Sequence, residues 1–154
     1  MTDSAQVRVL EEHDFEGWRS MWQGYQQFYG VRFDDAAVAT TWSRLRHRDE
    51  PMHGAVASMQ GRVVGLVHYL FHRSTWTSGD YCYLQDLYVA PAARQLGCAR
   101  QLIGHVYEEA RKKGASRVYW LTHESNTTAM RLYDQVAERP GFIQYRHVLP
   151  RTTG

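Results

Sequence analysis

Residues Val89 to Arg100, VAPAARQLGCAR, put Arg94, Gly97, Ala99 and Arg100 between an apolar, aromatic run and a segment of helical periodicity. A helix starting near Gly97 leaves its first backbone N–H groups without intrahelical partners. The aligned peptide dipoles add about half a positive charge at that end. The missing side chain at Gly97 and the methyl group at Ala99 let a bulky anion approach those donors. Arg94 and Arg100 bring permanent charge. The chemistry this spacing suits is capture of a phosphate or pyrophosphate. Read alone, the same stretch is equally a plain turn with exposed arginines. It is neither a Walker loop, for want of Gly-Lys-Ser/Thr, nor a GxGxxG fingerprint.

The elements that must hold this loop can be read from periodicity and breakers. VRVL (Val7 to Leu10) alternates like a short strand. Asp14 is placed to cap a helix running to about Tyr29, with Phe15, Trp18, Trp22, Tyr25, Phe28 and Tyr29 at helical spacing and Gly30 as its stop. A second helix is expected over Asp34 to Arg46. A hairpin follows, with strands His53 to Met59 and Val63 to Phe71 around Gln60-Gly61. Tyr81 to Val89 is an apolar strand. Leu102, Ile103, Val106, Tyr107 and Ala110 form the apolar stripe of a helix ending at Lys113-Gly114. Arg117 to Thr122 reads as a strand, Asn126 as the cap of a helix reaching about Glu138, and Phe142 to Val148 as a last strand. The pattern is α/β around a mixed sheet.

Bulk properties narrow the function classes. The 154 residues suit one domain, 1–154, and no repeat, linker or low-complexity segment interrupts it. No stretch approaches the roughly 18 apolar residues of a membrane span, and the N-terminus lacks a secretory pattern, so a cytoplasmic protein is expected. Cys82 and Cys98 are too few for a disulfide framework or zinc site. A net charge of +2 without a basic run argues against nucleic acid. His47, His53, His68 and His72 lack metal-ligand spacing, so no metal is expected.

The motif R-x-x-G-x-A at Arg94 to Ala99, behind LQDLYVAP and before an amphipathic helix, resembles the acetyl-CoA loop of the GNAT N-acetyltransferase superfamily. The likeness continues through RVYWLTHESNTTAMRLYDQVAERPGF and covers at least Tyr81 to Tyr145. It looks closest to the branch of Hpa-type histone and D-amino-acid acetyltransferases, and is similar to diamine acetyltransferases. Ala99 stands where many members carry glycine. The resemblance implies a mixed, mostly antiparallel sheet with splayed parallel strands in the middle, flanked by about four helices. The pantetheine arm would lie between the strands Tyr81–Val89 and Arg117–Thr122, bonded to the main chain of Leu87 to Val89, Tyr88 included. The loop Arg94, Gln95, Leu96, Gly97, Cys98, Ala99, Arg100 would wrap the pyrophosphate, with Asn126 a further cofactor contact.

The implied reaction is direct acetyl transfer from acetyl-CoA to a primary amine in a ternary complex. An alkylammonium of pKa about 10.4 is neutral at pH 7 only about once in 10³ molecules, so the site must accept a proton. Asp86, Glu124, His68, His123, Asp34 and Asp35 are candidates, and Asp86 is preferred because its strand leads to the thioester. Asp86 is equally read as a holder of the strand's bulge or of the substrate ammonium. Gln85 stands where diamine-type relatives tend to be acidic, and it cannot act as a base. Tyr133 is the candidate proton donor to the leaving thiolate and a cofactor contact. Its spacing alone also fits a core tyrosine. Trp22, Tyr25, Tyr29, Gln85, Asp86 and Thr122 are the expected acceptor contacts, with Trp76 a further wall; Trp22, Tyr25 and Tyr29 also belong to a stripe that reads mainly as core. Cys98 at a helix N-terminus could have a lowered thiol pKa, but no adjacent base supports an acyl-cysteine. A small amine, amino acid or polyamine is the first choice of acceptor and a protein or histone lysine the alternative. A non-catalytic acyl-CoA sensor is the binding-class alternative. A homodimer is expected, and no nucleic-acid or membrane partner.

Overall fold

A computed structural model describes residues 4–151. Its packing divides the chain into two compact units, one ending at Leu121 and one starting at Thr122. The first unit contains a five-stranded sheet in the order β1 (Gln6–Val9), β2 (Met52–Met59), β3 (Arg62–His72), β4 (Tyr81–Val89), β5 (Val118–Tyr119). All neighbours are antiparallel except β4 and β5, which are parallel. Helices α1 (Phe15–Phe28), α2 (Asp35–Arg46) and α3 (Cys98–Lys112) complete this unit.

Local chemistry explains these elements. Gln60 and Gly61, at φ 52° and 76°, make the doubly left-handed turn whose twist matches a two-residue hairpin. The α1 stripe buries Trp18 and Trp22 against Leu10, Val38, Leu45, Val56 and Leu66. The α3 stripe buries Leu102, Ile103, Val106 and Ala110, and its chain reverses at Gly114 with φ 76°. Asp34 caps α2 by accepting the Ala37 N–H at 2.8 Å. Asp14 precedes α1 but does not cap it. Its buried carboxylate takes the Arg8 guanidinium fork at 2.6 and 2.7 Å and the Glu11 N–H at 2.8 Å. That fastens β1 to the start of α1.

The second unit contains α4 (Thr127–Val136). Asn126 holds the N-cap position, yet its side chain makes no capping bond and donates instead to Thr122 Oγ1 at 3.3 Å. The strand expected across 142–148 does not form. Its apolar residues Phe142, Ile143, Tyr145 and Val148 do not alternate, so no strand face unites them. All four are at least three-quarters exposed. The mixed, mostly antiparallel sheet and four helices match expectation. Among the described residues, however, the parallel pair closes one edge of the sheet, and β5 has two residues rather than six.

Candidate active site

The loop between β4 and α3 is solvent-facing from Arg94 to Gly97. Gln95 and Gly97 both take left-handed backbone, at φ 64° and 85°. Left-handed residues next to right-handed ones gather successive N–H groups into an anion-binding concavity. No side chain caps α3, and a Cβ placed on Gly97 would meet nothing within 4 Å. The space in front of the first α3 amides is therefore open to a ligand. Glycine is wanted here for its backbone angle.

Arg94 and Cys98 differ from their expected roles. The Arg94 Nε–H donates to the Val89 carbonyl at 3.1 Å, and its guanidinium lies 5.8 Å from the Tyr88 ring centre. Arg94 therefore ties the loop back onto β4, through a carbonyl expected to face the pantetheine arm. The Cys98 side chain is buried, which pushes its thiol above the usual range rather than below it. Only its main-chain N–H remains for an anion. Leu96 and Arg100 are exposed and Ala99 half-buried.

Pairing of β4 with β5 stops after Cys82–Val118 and Tyr83–Tyr119. From Leu84 to Val89, including Leu87, that edge of β4 has no strand partner among the described residues. Its main-chain groups can pair with an extended ligand arm, a strand-like addition. The Tyr88 side chain is packed with the α1 core, its hydroxyl where a Cβ on Gly24 would fall, so only the Tyr88 main chain serves this edge.

A bulge decides where Asp86 points. His68 pairs with Asp86 but Tyr69 pairs with Leu84, so Gln85 is the extra residue on β4. A strict two-residue period would put Asp86 with Leu84, whose partner Tyr69 packs on His105 of α3. The inserted residue shifts the alternation. Asp86 now shares the face of His68, whose ring packs on Trp18 and Trp22 of α1. Gln85 itself is exposed.

On this face the Trp18 Nε1–H donates to His68 Nε2 at 2.9 Å, and His68 Nδ1 meets Asp86 Oδ2 at 3.0 Å. Burial, with the Asp86 charge and a hydrogen bond to it, pushes the Tyr25 hydroxyl far above the phenolic range. Burial and Asp86 also raise Tyr29. Both phenols therefore stay protonated donors. Trp22 stacks on Tyr25 at 4.9 Å, and Tyr25 lies 4.7 Å from Tyr29, so expected acceptor residues do converge around Asp86.

Other candidates lie apart from this cluster or are placed otherwise. Asp34 is a helix cap, Asp35 is exposed, and Trp76 is three-quarters exposed with Arg117 over its ring. In the second unit His123 bonds Ser125, Glu124 is exposed, and Thr122, Asn126 and Tyr133 are half-buried. Sequence reasoning read Trp18 mainly as core, within an aromatic stripe of which some rings could edge the acceptor pocket, and weighed His68 as a base without choosing it. The register that joins them to Asp86 depends on a bulge no periodicity displays.

The model of the GNAT acetyltransferase family matches residues 18–137. The D-amino-acid N-acetyltransferase of Saccharomyces cerevisiae is 33% identical over 148 residues, covering 95% of this chain and 92% of that one. This chain belongs to the GNAT family. It is an N-acetyltransferase by that membership. A thialysine N-epsilon-acetyltransferase of Caenorhabditis elegans is 34% identical over 103 residues, covering 66% of this chain and 64% of the other. In fold, a crystal structure of a probable acetyltransferase superposes with TM-score 0.82 at 21% identity, covering 97% and 99% of the two chains. An aminoglycoside N-acetyltransferase in complex with CoA gives 0.73 at 21%, covering 99% and 97%. Among the described residues no group of three or more His, Cys, Asp or Glu could hold a metal ion, and no helix is long and apolar enough to cross a membrane.

Proposed function

We propose that this GNAT enzyme transfers the acetyl group of acetyl-CoA to the primary amine of a small molecule by direct attack in a ternary complex. Acetyl-CoA supplies the activated thioester carbonyl. The residues Arg94 to Arg100 hold its diphosphate, chiefly through the amides of Gly97 to Arg100. The open edge of β4 at Leu87 and Val89 aligns the arm. Asp86 draws in the ammonium and takes one proton from it, the freed amine attacks the thioester carbonyl, and the second N–H proton leaves to solvent as the amide forms. As the C–S bond breaks, the departing thiolate takes a proton, and on the family pattern its donor is Tyr133. Asn126 and Thr122 keep their family roles beside cofactor and acceptor. The reading extends to a single catalytic domain acting in the cytoplasm as a homodimer. The exposed apolar residues of 142–149 support the pairing of two copies.

The observation that carries this reading is the bulge at Gln85, which turns a carboxylate onto the aromatic α1 face of the strand that leads to the anion loop. An anion face lined by phenol donors suits an ammonium, through charge and ring faces together. The relatives' names favour amino-acid acceptors: one is called a D-amino-acid, another a thialysine acetyltransferase. The test measures CoA release across both enantiomers of amino acids, thialysine, polyamines and histone peptides. Turnover greatest with small amines is expected. Turnover greatest with peptides would replace the acceptor by protein lysine. Acetyl-CoA binding without turnover on any acceptor would replace the enzyme by a sensor.

A further inference from the structure

Trp18 Nε1 can only donate a hydrogen bond, since the indole nitrogen has no lone pair to offer. It lies 2.9 Å from His68 Nε2, with both side chains buried. His68 Nε2 must therefore accept, which leaves the imidazole proton on Nδ1. That proton points at Asp86 Oδ2, 3.0 Å away. We infer that His68 is a positioning residue for acetyl transfer: Trp18 locks it in one tautomer, whose Nδ1–H orients the Asp86 carboxylate for the incoming amine. The inference rests on the reading of Asp86 as the group that meets the amine.

The lock matters because of what it forbids. An imidazole free to bind a second proton would form an imidazolium–carboxylate pair with Asp86. The pair would be neutral overall, and the carboxylate would lose both its pull on an ammonium and its affinity for a proton. With Trp18 in place, a proton on Nε2 would face another N–H at donor-to-donor distance. The other groups around His68 do not supply an alternative. On α1, Trp18 and Trp22 pack on its ring, and Tyr25 and Tyr29, both held protonated by burial and by Asp86, stand beside that carboxylate. Tyr83 is on β4, and β2 presents Gly54, which carries no charge. A Cβ on Gly54 would make an ordinary 3.5 Å contact with His68 Cδ2 but would clash with Leu10 Cδ1 at 2.7 Å.

The test has two parts that fail separately. Long-range 15N–1H spectra of the wild-type protein read the tautomer directly. A proton on Nδ1 and none on Nε2 is expected; a proton on Nε2 overturns the lock. Kinetics then read the role. His68→Leu removes the donor, and kcat/KM for the amine should fall about 10- to 100-fold, the effect of losing one hydrogen bond to a charged group. The KM for acetyl-CoA should be unchanged. His68→Asn places an amide N–H near the position of Nδ1 and should recover most of the loss. Trp18→Phe frees Nε2 and should add an acidic limb to the pH profile of kcat/KM. That limb should vanish in the His68→Asn, Trp18→Phe double variant. Equal limbs in both backgrounds, or a His68→Leu enzyme within twofold of wild type, would refute the positioning role. If Asp86→Asn keeps full turnover, the reading of Asp86 fails instead, while the tautomer spectrum still reports on the lock. Should Trp18→Phe not fold, the spectra and the two His68 variants decide the matter.

Discussion

Under the proposed function, two regions of this molecule handle two substrates in opposite ways. The loop from Arg94 to Arg100 is exposed, and its donors are main-chain N–H groups organised by left-handed residues at Gln95 and Gly97. In the Trp18–His68–Asp86 line the first two are buried and Asp86 half-buried, and every participating atom belongs to a side chain. In that proposal the first region gathers the diffuse charge of a diphosphate, where identity of side chain matters little beyond backbone angle. In that proposal the second places one proton-accepting oxygen, held by a hydrogen bond from His68. Binding of donor and chemistry on acceptor should therefore be separable by mutation.

That separation can be broken or sharpened in graded steps. The largest effect is expected for Asp86→Asn. It should lower kcat by about 10²- to 10⁴-fold, the range for loss of a positioned general base. A titration calorimeter should find the acetyl-CoA Kd unchanged. Tyr133→Phe comes next, with kcat down about 10- to 100-fold and the stabilisation of the fold by acetyl-CoA retained in thermal shift. Gly97→Val acts on the other region. A β-branched residue at φ 85° costs roughly 1–2 kcal/mol of backbone strain, so the acetyl-CoA KM should rise about tenfold with kcat for bound substrate little altered. Gln85→Ala should be the mildest. Its side chain is the exposed extra residue of the bulge, and steady-state kinetics should stay within about threefold of wild type, as for surface changes in general.

The two regions also differ in how legible they were. The loop was readable because its signals are local: a glycine, two arginines and the start of an apolar helical stripe lie within a dozen residues. Even there, the inward turn of Arg94 to the Val89 carbonyl and the burial of Cys98 depend on packing that spacing does not encode. The sheet was readable where alternation and turn residues agree, as at Gln60-Gly61. It was misread at 142–148, where an apolar-rich stretch without alternation was taken for a strand. Asp86 was legible as a residue type on a strand near the loop. Its face was not, because one extra residue at Gln85 reverses the alternation, and neither Trp18 nor His68 lies near Asp86 in the chain. Fifty residues separate Trp18 from His68, and only the fold brings them together.

The division of labour is tested most directly by following backbone amides while CoA is titrated into the protein. The account predicts that the amides of Gly97, Cys98, Ala99 and Arg100 move furthest and to lower field, as N–H groups do on binding an anion. The His68 and Asp86 amides should move little until an amine is added. Saturation by CoA with those four amides unmoved would contradict it.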